Sequence, residues 1–215
     1  GKSITFDWSP AMSTPVATQA PFTPEDLLAM PDSKSYELVG GQLVERKMGM
    51  KSGWVATRLS ATLDQFCEKH GIGWAFNAEN GYQCFPHDPG RVRRPDVSFV
   101  RYGRFPGGVI PEGWAKIRPD LLVEVLSTNE TVEVLEDKLE DYKKVAVPLI
   151  WVIYPRSRKA LVYRADGSSD HSREADELSG EDIIPGFRCP LASLFPPREP
   201  ATEVQEKSTG PNGLE

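Results

Sequence analysis

Residues 119–155 read PDLLVEVLSTNETVEVLEDKLEDYKKVAVPLIWVIYP. Two apolar runs of strand length, LLVEVL and LIWVIY, flank a stretch with helical period. Nearly continuous apolar strands of this kind are buried on both faces of a sheet. The segment from 120 to 154 therefore predicts a β-α-β unit, and with it an α/β or α+β sheet carrying helices on its faces. On a wheel at 100° per residue with Leu135 at zero, Val132, Leu139, Tyr142 and Ala146 fall within about 60°, and Val145 falls near −80°. Glu133, Glu136, Asp137, Glu140, Lys143 and Lys144 lie outside that arc. Lys138 falls near −60°, inside the apolar arc, where an unpaired ammonium is costly to bury.

The strand before this helix carries the complementary anomaly. Glu124 interrupts LLVEVL, and a buried carboxylate needs a cation as partner. Asp96 sits likewise within RRPDVSFV (93–100), just after Pro95 at the strand entrance. One reading is a structural Lys138–Glu124 salt bridge, with Asp96 at a strand end on the surface. The other is a site in which Asp96 and Glu124, helped by a backbone carbonyl such as that of Val125, hold Mg²⁺ or Mn²⁺ with Lys138 over the same spot. Mg²⁺ takes few protein oxygens and keeps several waters, so two carboxylates suffice. Such a set suits phosphodiester hydrolysis, in which a metal acidifies a water and a lysine orients the nucleophile or offsets developing charge.

The rest of the chain supports one domain. YELV and QLVERK flank Gly40-Gly41, the composition of a two-residue hairpin turn. Thr23-Pro24-Glu25-Asp26 reads as a helix start with Thr23 as N-cap and Asp26 at the capping-box position. Val55, Leu59, Leu63 and Phe66 mark a helix from Trp54 to about Cys67, stopped by Gly71 and Gly73. A strand is expected from Trp74 to Phe85, then the turn PHDPG, then the strand RRPDVSFV. Residues 103–119 read as a loop or short helix, and KALVYR with the short segments beyond it as antiparallel edge strands. Residues 1–21 and 196–215 are expected to be a flexible arm and a disordered tail around a folded unit at 22–195.

The 215 residues are 39% apolar and 26% charged, as in globular proteins, and no run approaches the length of a membrane span. With no secretory h-region, a cytoplasmic location is the expectation. Cys67, Cys84 and Cys189 lack CxxC spacing and suggest neither a disulfide framework nor a zinc knuckle. A net charge of −6 argues against coating nucleic acid by bulk charge, but not against a carboxylate-lined nuclease site. Arg91, Arg93 and Arg94 beside Asp96 are candidates for phosphate contact, or are charges protecting an edge strand.

Pro95-Asp96, Glu124 in VEVLS and a lysine in the next helix resemble the PD-(D/E)XK nuclease pattern. More closely, YELVGGQLVE, RRPDVSFV, PDLLVEVLS, DKLEDYKK, VPLIWVIYP and PGFRCPLASLF resemble successive blocks of the Uma-type restriction-endonuclease-like family, from about Tyr36 to Phe195. The resemblance implies a restriction-endonuclease-like mixed sheet flanked by helices and a metal-dependent cut in DNA. Asp96 and Glu124 match the family's metal-binding carboxylates. Leu126 stands where the parent motif has its lysine. In the Uma-type group a lysine four residues before a tyrosine substitutes, which here is Lys138 before Tyr142, the residue the wheel singles out. Glu37 matches a glutamate of the first block, with a role at the metal or its waters set against that of a strand-surface glutamate. A histidine that many members carry near the start of the 54–67 helix is replaced here by Ser52, Gly53 and Trp54. Cutting both strands of a duplex suggests a homodimer by analogy. The rival readings are a non-catalytic binding or assembly module on the same fold and hydrolysis of another phosphoester.

Overall fold

The structure, a computed structural model, describes residues 20–47 and 49–198. The arm expected at 1–21 therefore lies outside the described residues up to 19, and the expected tail does so from 199 onward.

The chain enters through α1 (Pro24–Ala29), whose Thr23 hydroxyl accepts from the Asp26 N–H while Asp26 reaches back to Thr23, the reciprocal box that the sequence predicts. β1 (Tyr36–Val39) and β2 (Gln42–Glu45) form a two-stranded antiparallel hairpin. Its turn has positive φ at both Gly40 and Gly41, a conformation glycine adopts without strain.

α2 (Met50–His70) starts four residues earlier than the apolar period indicates, because its first turn, MKSG, buries no apolar side chain. Gly71, left-handed at φ 61°, ends it. β3 (Gly73–Asn77), β4 (Val97–Arg101), β5 (Leu121–Val125), β6 (Leu149–Tyr154), β7 (Lys159–Arg164) and β8 (Ser169–Arg173) make one sheet in that order. β5 and β6 are parallel and joined by α3 (Val132–Lys144), so the β-α-β unit is present. The other neighbouring pairs are antiparallel. A small pair, β9 (Glu177–Ser179) and β10 (Arg188–Pro190), closes the C-terminal part.

Three expectations differ in detail. The strand expected from Trp74 to Phe85 stops at Asn77, whose side-chain oxygen accepts from the Glu79 N–H and turns the chain. The strand expected from Arg93 begins only at Val97, since Pro95 has no N–H for a ladder, although Arg93 bridges Tyr82 on its own. KALVYR (β7) is an interior strand, and the polar SDHSR of β8 takes the edge, where apolar side chains would invite pairing with another sheet.

Side-chain alternation divides the core. Val97, Phe99, Leu121, Val123, Trp151 and Ile153 face α2, whose Val55, Leu59 and Leu63 are fully buried. Leu122, Ile150 and Val152 face α3 through Leu135, Leu139 and Tyr142. Glu124, two residues after Leu122, shares the α3 face by the same period. Val132 and Ala146 are exceptions to the wheel. Val132 overhangs the first turn of α3 and is exposed, and Ala146 lies beyond the helix end at positive φ.

Candidate active site

Three elements deliver the residues singled out from sequence to one place. Lys138, from the sheet-facing side of α3, donates to Glu124 Oε2 at 3.1 Å. It also pairs with Glu130 Oε1 at 2.9 Å in the β5–α3 loop. The Tyr142 hydroxyl, one helical turn on, donates to Glu124 Oε1 at 2.6 Å. Each Glu124 oxygen thus has a donor, which is what its position on an apolar strand face demands. Asp96, just before β4, accepts from the Val125 N–H at 2.8 Å and from Arg46 at 3.2 Å. It is not a free surface carboxylate, because β4 and β5 lie side by side and the residue just before β4 meets the Val125 amide at the end of β5.

Glu37 of β1 is 1% exposed. Its two oxygens accept from the Arg94 N–H at 2.7 Å and from Arg93 at 3.0 Å. Arg93 also donates to Asp141 of α3 at 2.7 Å, and Asp141 is approached by Arg91 and by His87. This corrects the reading of Arg93 and Arg94 as surface residues for phosphate. Both are buried, with Arg93 committed to two carboxylates and Arg94 to the carbonyls of Tyr36, Ser33 and Glu79. Neither guanidinium is presented to a ligand in this arrangement.

A cleft of about 280 Å³ opens over the group, and Glu37, Arg46, Asp96, Val125, Glu130 and Lys138 are among its lining residues. Glu124 lies beneath, bonded to Lys138, which does line the cleft. Arg46, Glu130, Tyr142 and Asp141 were not singled out as site residues from sequence. Tyr142 was visible only as the spacing mark for Lys138, and Asp141 sits near −120° on the wheel, at the rim of the arc. Arg46 and Glu130 lie in polar contexts that carry no signal.

The electrostatics follow from burial. Glu124 is pushed up from 4.5 to about 7 by desolvation, against the opposing charge of Lys138 and with Asp96 and Glu37 adding to the rise. Asp96 is raised by burial despite the Val125 N–H and the Lys138 charge. Desolvation alone would raise Glu37 as well, but the charges of Lys138 and Arg93 and the hydrogen bonds from Arg94 and Arg93 outweigh it and hold Glu37 below the usual range. Burial disfavours the Lys138 ammonium, yet Glu124, Glu37, Glu130 and Asp96 together keep it charged. A raised carboxylate stabilises the fold fully below its unfolded pKa and loses that contribution as pH rises through the folded value. The metal-free chain is therefore expected to lose stability between about pH 4.5 and about pH 7, and Glu124→Gln to flatten that slope. Thermal unfolding across this range checks it, and an unchanged slope in the variant would remove Glu124 as the cause.

The donor set is compatible with a hard divalent cation. Asp96 and Glu124 are oxygen donors from adjacent strands, Val125 lines the same cleft, and the space above admits waters. Among the described residues no group of three or more His, Cys, Asp and Glu side chains is placed to hold a metal.

Comparison with known proteins agrees with this architecture. Among curated proteins none matches the chain. The fold is similar to a crystal structure of "a putative nuclease belonging to DUF820" from Anabaena variabilis ATCC 29413, with a TM-score of 0.67 and 17% identity over 81% of this chain and 97% of that one. At that identity the shared property is the fold, a six-stranded mixed sheet with helices. The profile of the Uma2 family, described as "Putative restriction endonuclease", matches residues 24–192. That span is well over half of the 215 residues and holds every residue of the cleft, and the chain belongs to the Uma2 family.

Proposed function

We propose that the chain is a Mg²⁺- or Mn²⁺-dependent endonuclease that hydrolyses phosphodiester bonds of DNA. The observation that carries this reading is the convergence of Asp96, just before β4, Glu124 of β5 and Lys138 of α3 beside one open cleft. Asp96, Glu124 and the Val125 carbonyl would hold the divalent cation, which would supply Lewis acidity toward water and positive charge against the scissile phosphate. Lys138, held charged by four carboxylates, orients the attacking water or offsets charge on the phosphoryl oxygens. Glu37, neutralised by Arg93, supports the cleft floor and can accept from a water. Arg46 and the Val125 N–H each hold one oxygen of Asp96 and so fix the carboxylate in the lining of the cleft.

Cleavage of supercoiled and single-stranded DNA, with calorimetric titration of Mg²⁺ and Mn²⁺, tests the reading. Wild type is expected to bind metal and cut. Asp96→Ala should lose both while remaining folded, with a rate reduced by about 10² or more. If wild type binds neither ion and leaves every nucleic acid intact, the enzyme reading fails and the binding-module alternative takes its place.

A further inference from the structure

The side of α2 turned away from the core carries apolar side chains that the core does not take. Val55, Leu59 and Leu63 are fully buried against the sheet, whereas Met50 and Trp54 are 95% and 48% exposed. Met50 and Trp54 stand four residues apart and so are neighbours on one helix face. A tryptophan left half in water forfeits much of the stabilisation that burying its ring would bring, on a face that is normally polar.

Trp54 does not simply face solvent. With Met50 and Thr57 it lines a groove of about 730 Å³ whose lining also takes in Lys34, Arg46 and Asp96. Arg46 and Asp96 line the catalytic cleft as well, so the two spaces meet at the Asp96 carboxylate. The ring is braced by Arg58, one helical turn on, whose guanidinium carbon lies 5.7 Å from the ring centroid. Arg58 Nε donates to the Ser193 carbonyl at 2.8 Å, and Arg58 is outside the lining, so it steadies the ring without filling the groove.

Charges in the lining cancel. Lys34 pairs with Glu79 at 2.6 Å and Arg46 with Asp96 at 3.2 Å. This is not a basic trough of the kind that holds a duplex through its phosphates. It offers instead an aromatic surface beside the cleft. The Lys34–Glu79 pair is solvent-exposed, so Lys34 can exchange its partner for a phosphate at little cost. A protein ring stacks on a base that is out of its own stack, whereas a continuous duplex presents base edges in its grooves.

We propose that this groove binds single-stranded DNA, with Trp54 stacked on a base of the strand whose phosphodiester lies at Asp96. The preferred substrate is then a single strand or an unpaired end, not a continuous duplex. The groove's role rests on the nuclease reading for the phosphate at Asp96, and on Trp54 for the base.

Fluorescence anisotropy in EDTA, where no metal-dependent cut can occur, tests it with three labelled oligonucleotides: a single strand, the same sequence as a blunt duplex, and the single strand with abasic sites. Wild type is expected to bind the intact single strand most tightly. Trp54→Ala should weaken that binding about tenfold, bring it level with the abasic strand and leave duplex binding where it was, while Trp54→Phe keeps most of the affinity. The variant should lose nothing further on the abasic strand, as a double-mutant cycle requires of one shared contact. Alanine is a good helix former at an exposed position, so the variant is expected to fold, and thermal unfolding by circular dichroism checks this. No single-strand binding by wild type, unchanged affinity in Trp54→Ala, or equal losses for single strand and duplex overturns the stacking site. A chain that binds single strands through Trp54 but cuts nothing with Mg²⁺ or Mn²⁺ defeats the catalytic reading alone.

Discussion

Arg93→Ala is expected to destabilise the fold by about 3–5 kcal/mol, the cost of removing one partner from a buried ion pair and leaving charge behind. Arg93 is 4% exposed and lies between Glu37 and Asp141, which are each 1% exposed. Asp141 keeps Arg91 and His87 as neighbours, so the uncompensated charge falls mainly on Glu37, left with the Arg94 N–H. Arg93→Lys should recover only part of the loss, because a single ammonium cannot reproduce the forked contacts to both carboxylates. Urea unfolding monitored by circular dichroism measures the difference. A loss below about 1 kcal/mol would mean that Glu37 and Asp141 are solvated or rearranged and that the network is dispensable.

Lys138→Met should have the largest effect on activity, with DNA cleavage reduced by about 10² to 10³ while the molecule stays folded. Methionine keeps an unbranched apolar stem but removes the charge shared by Glu124 and Glu130. The Lys138 charge is the main influence lowering the Glu124 pKa, so its removal should carry the Glu124 titration midpoint above about 7, readable by carboxyl ¹³C NMR. Cleavage at the wild-type rate would show that Lys138 is a structural counterion. A lost rate with an unmoved midpoint would show that it does not govern the charge on Glu124.

The β-α-β unit and the hairpin were legible because each rests on a local signal, an apolar period or a glycine pair. Lys138 was legible for the same reason, as a charge on the wrong side of a helix whose period is clear. Arg93 and Arg94 were misread because their surroundings are set by chain segments about 50 residues away. Nothing in RRPDVSFV shows that Glu37 and Asp141 close over it. Arg46 and Glu130 escaped notice for a related reason: each sits among other polar residues, and only the fold makes them neighbours of Asp96 and Lys138. Sequence pattern reports on burial through period, and fails where a buried charge is rescued by a distant partner.

The hairpin of β1 and β2 is a separate sheet, fastened to the segment that leads into β4 by the Leu38–Val92 bridge and by the bonds of Glu37 and Arg46. In folding terms those fastenings are long-range contacts. Joining Glu37 to Arg94 closes a loop of 57 residues, an entropic cost of about 3–4 kcal/mol before any contact is gained. The six-stranded sheet can form while the hairpin is still detached, and the cleft, which takes residues from both, is then incomplete. During synthesis no fragment ending before α3 contains Lys138, so the emerging chain has no complete cleft. The acidic cluster is drawn together only once its counterions, delivered from opposite ends of the domain, are in place.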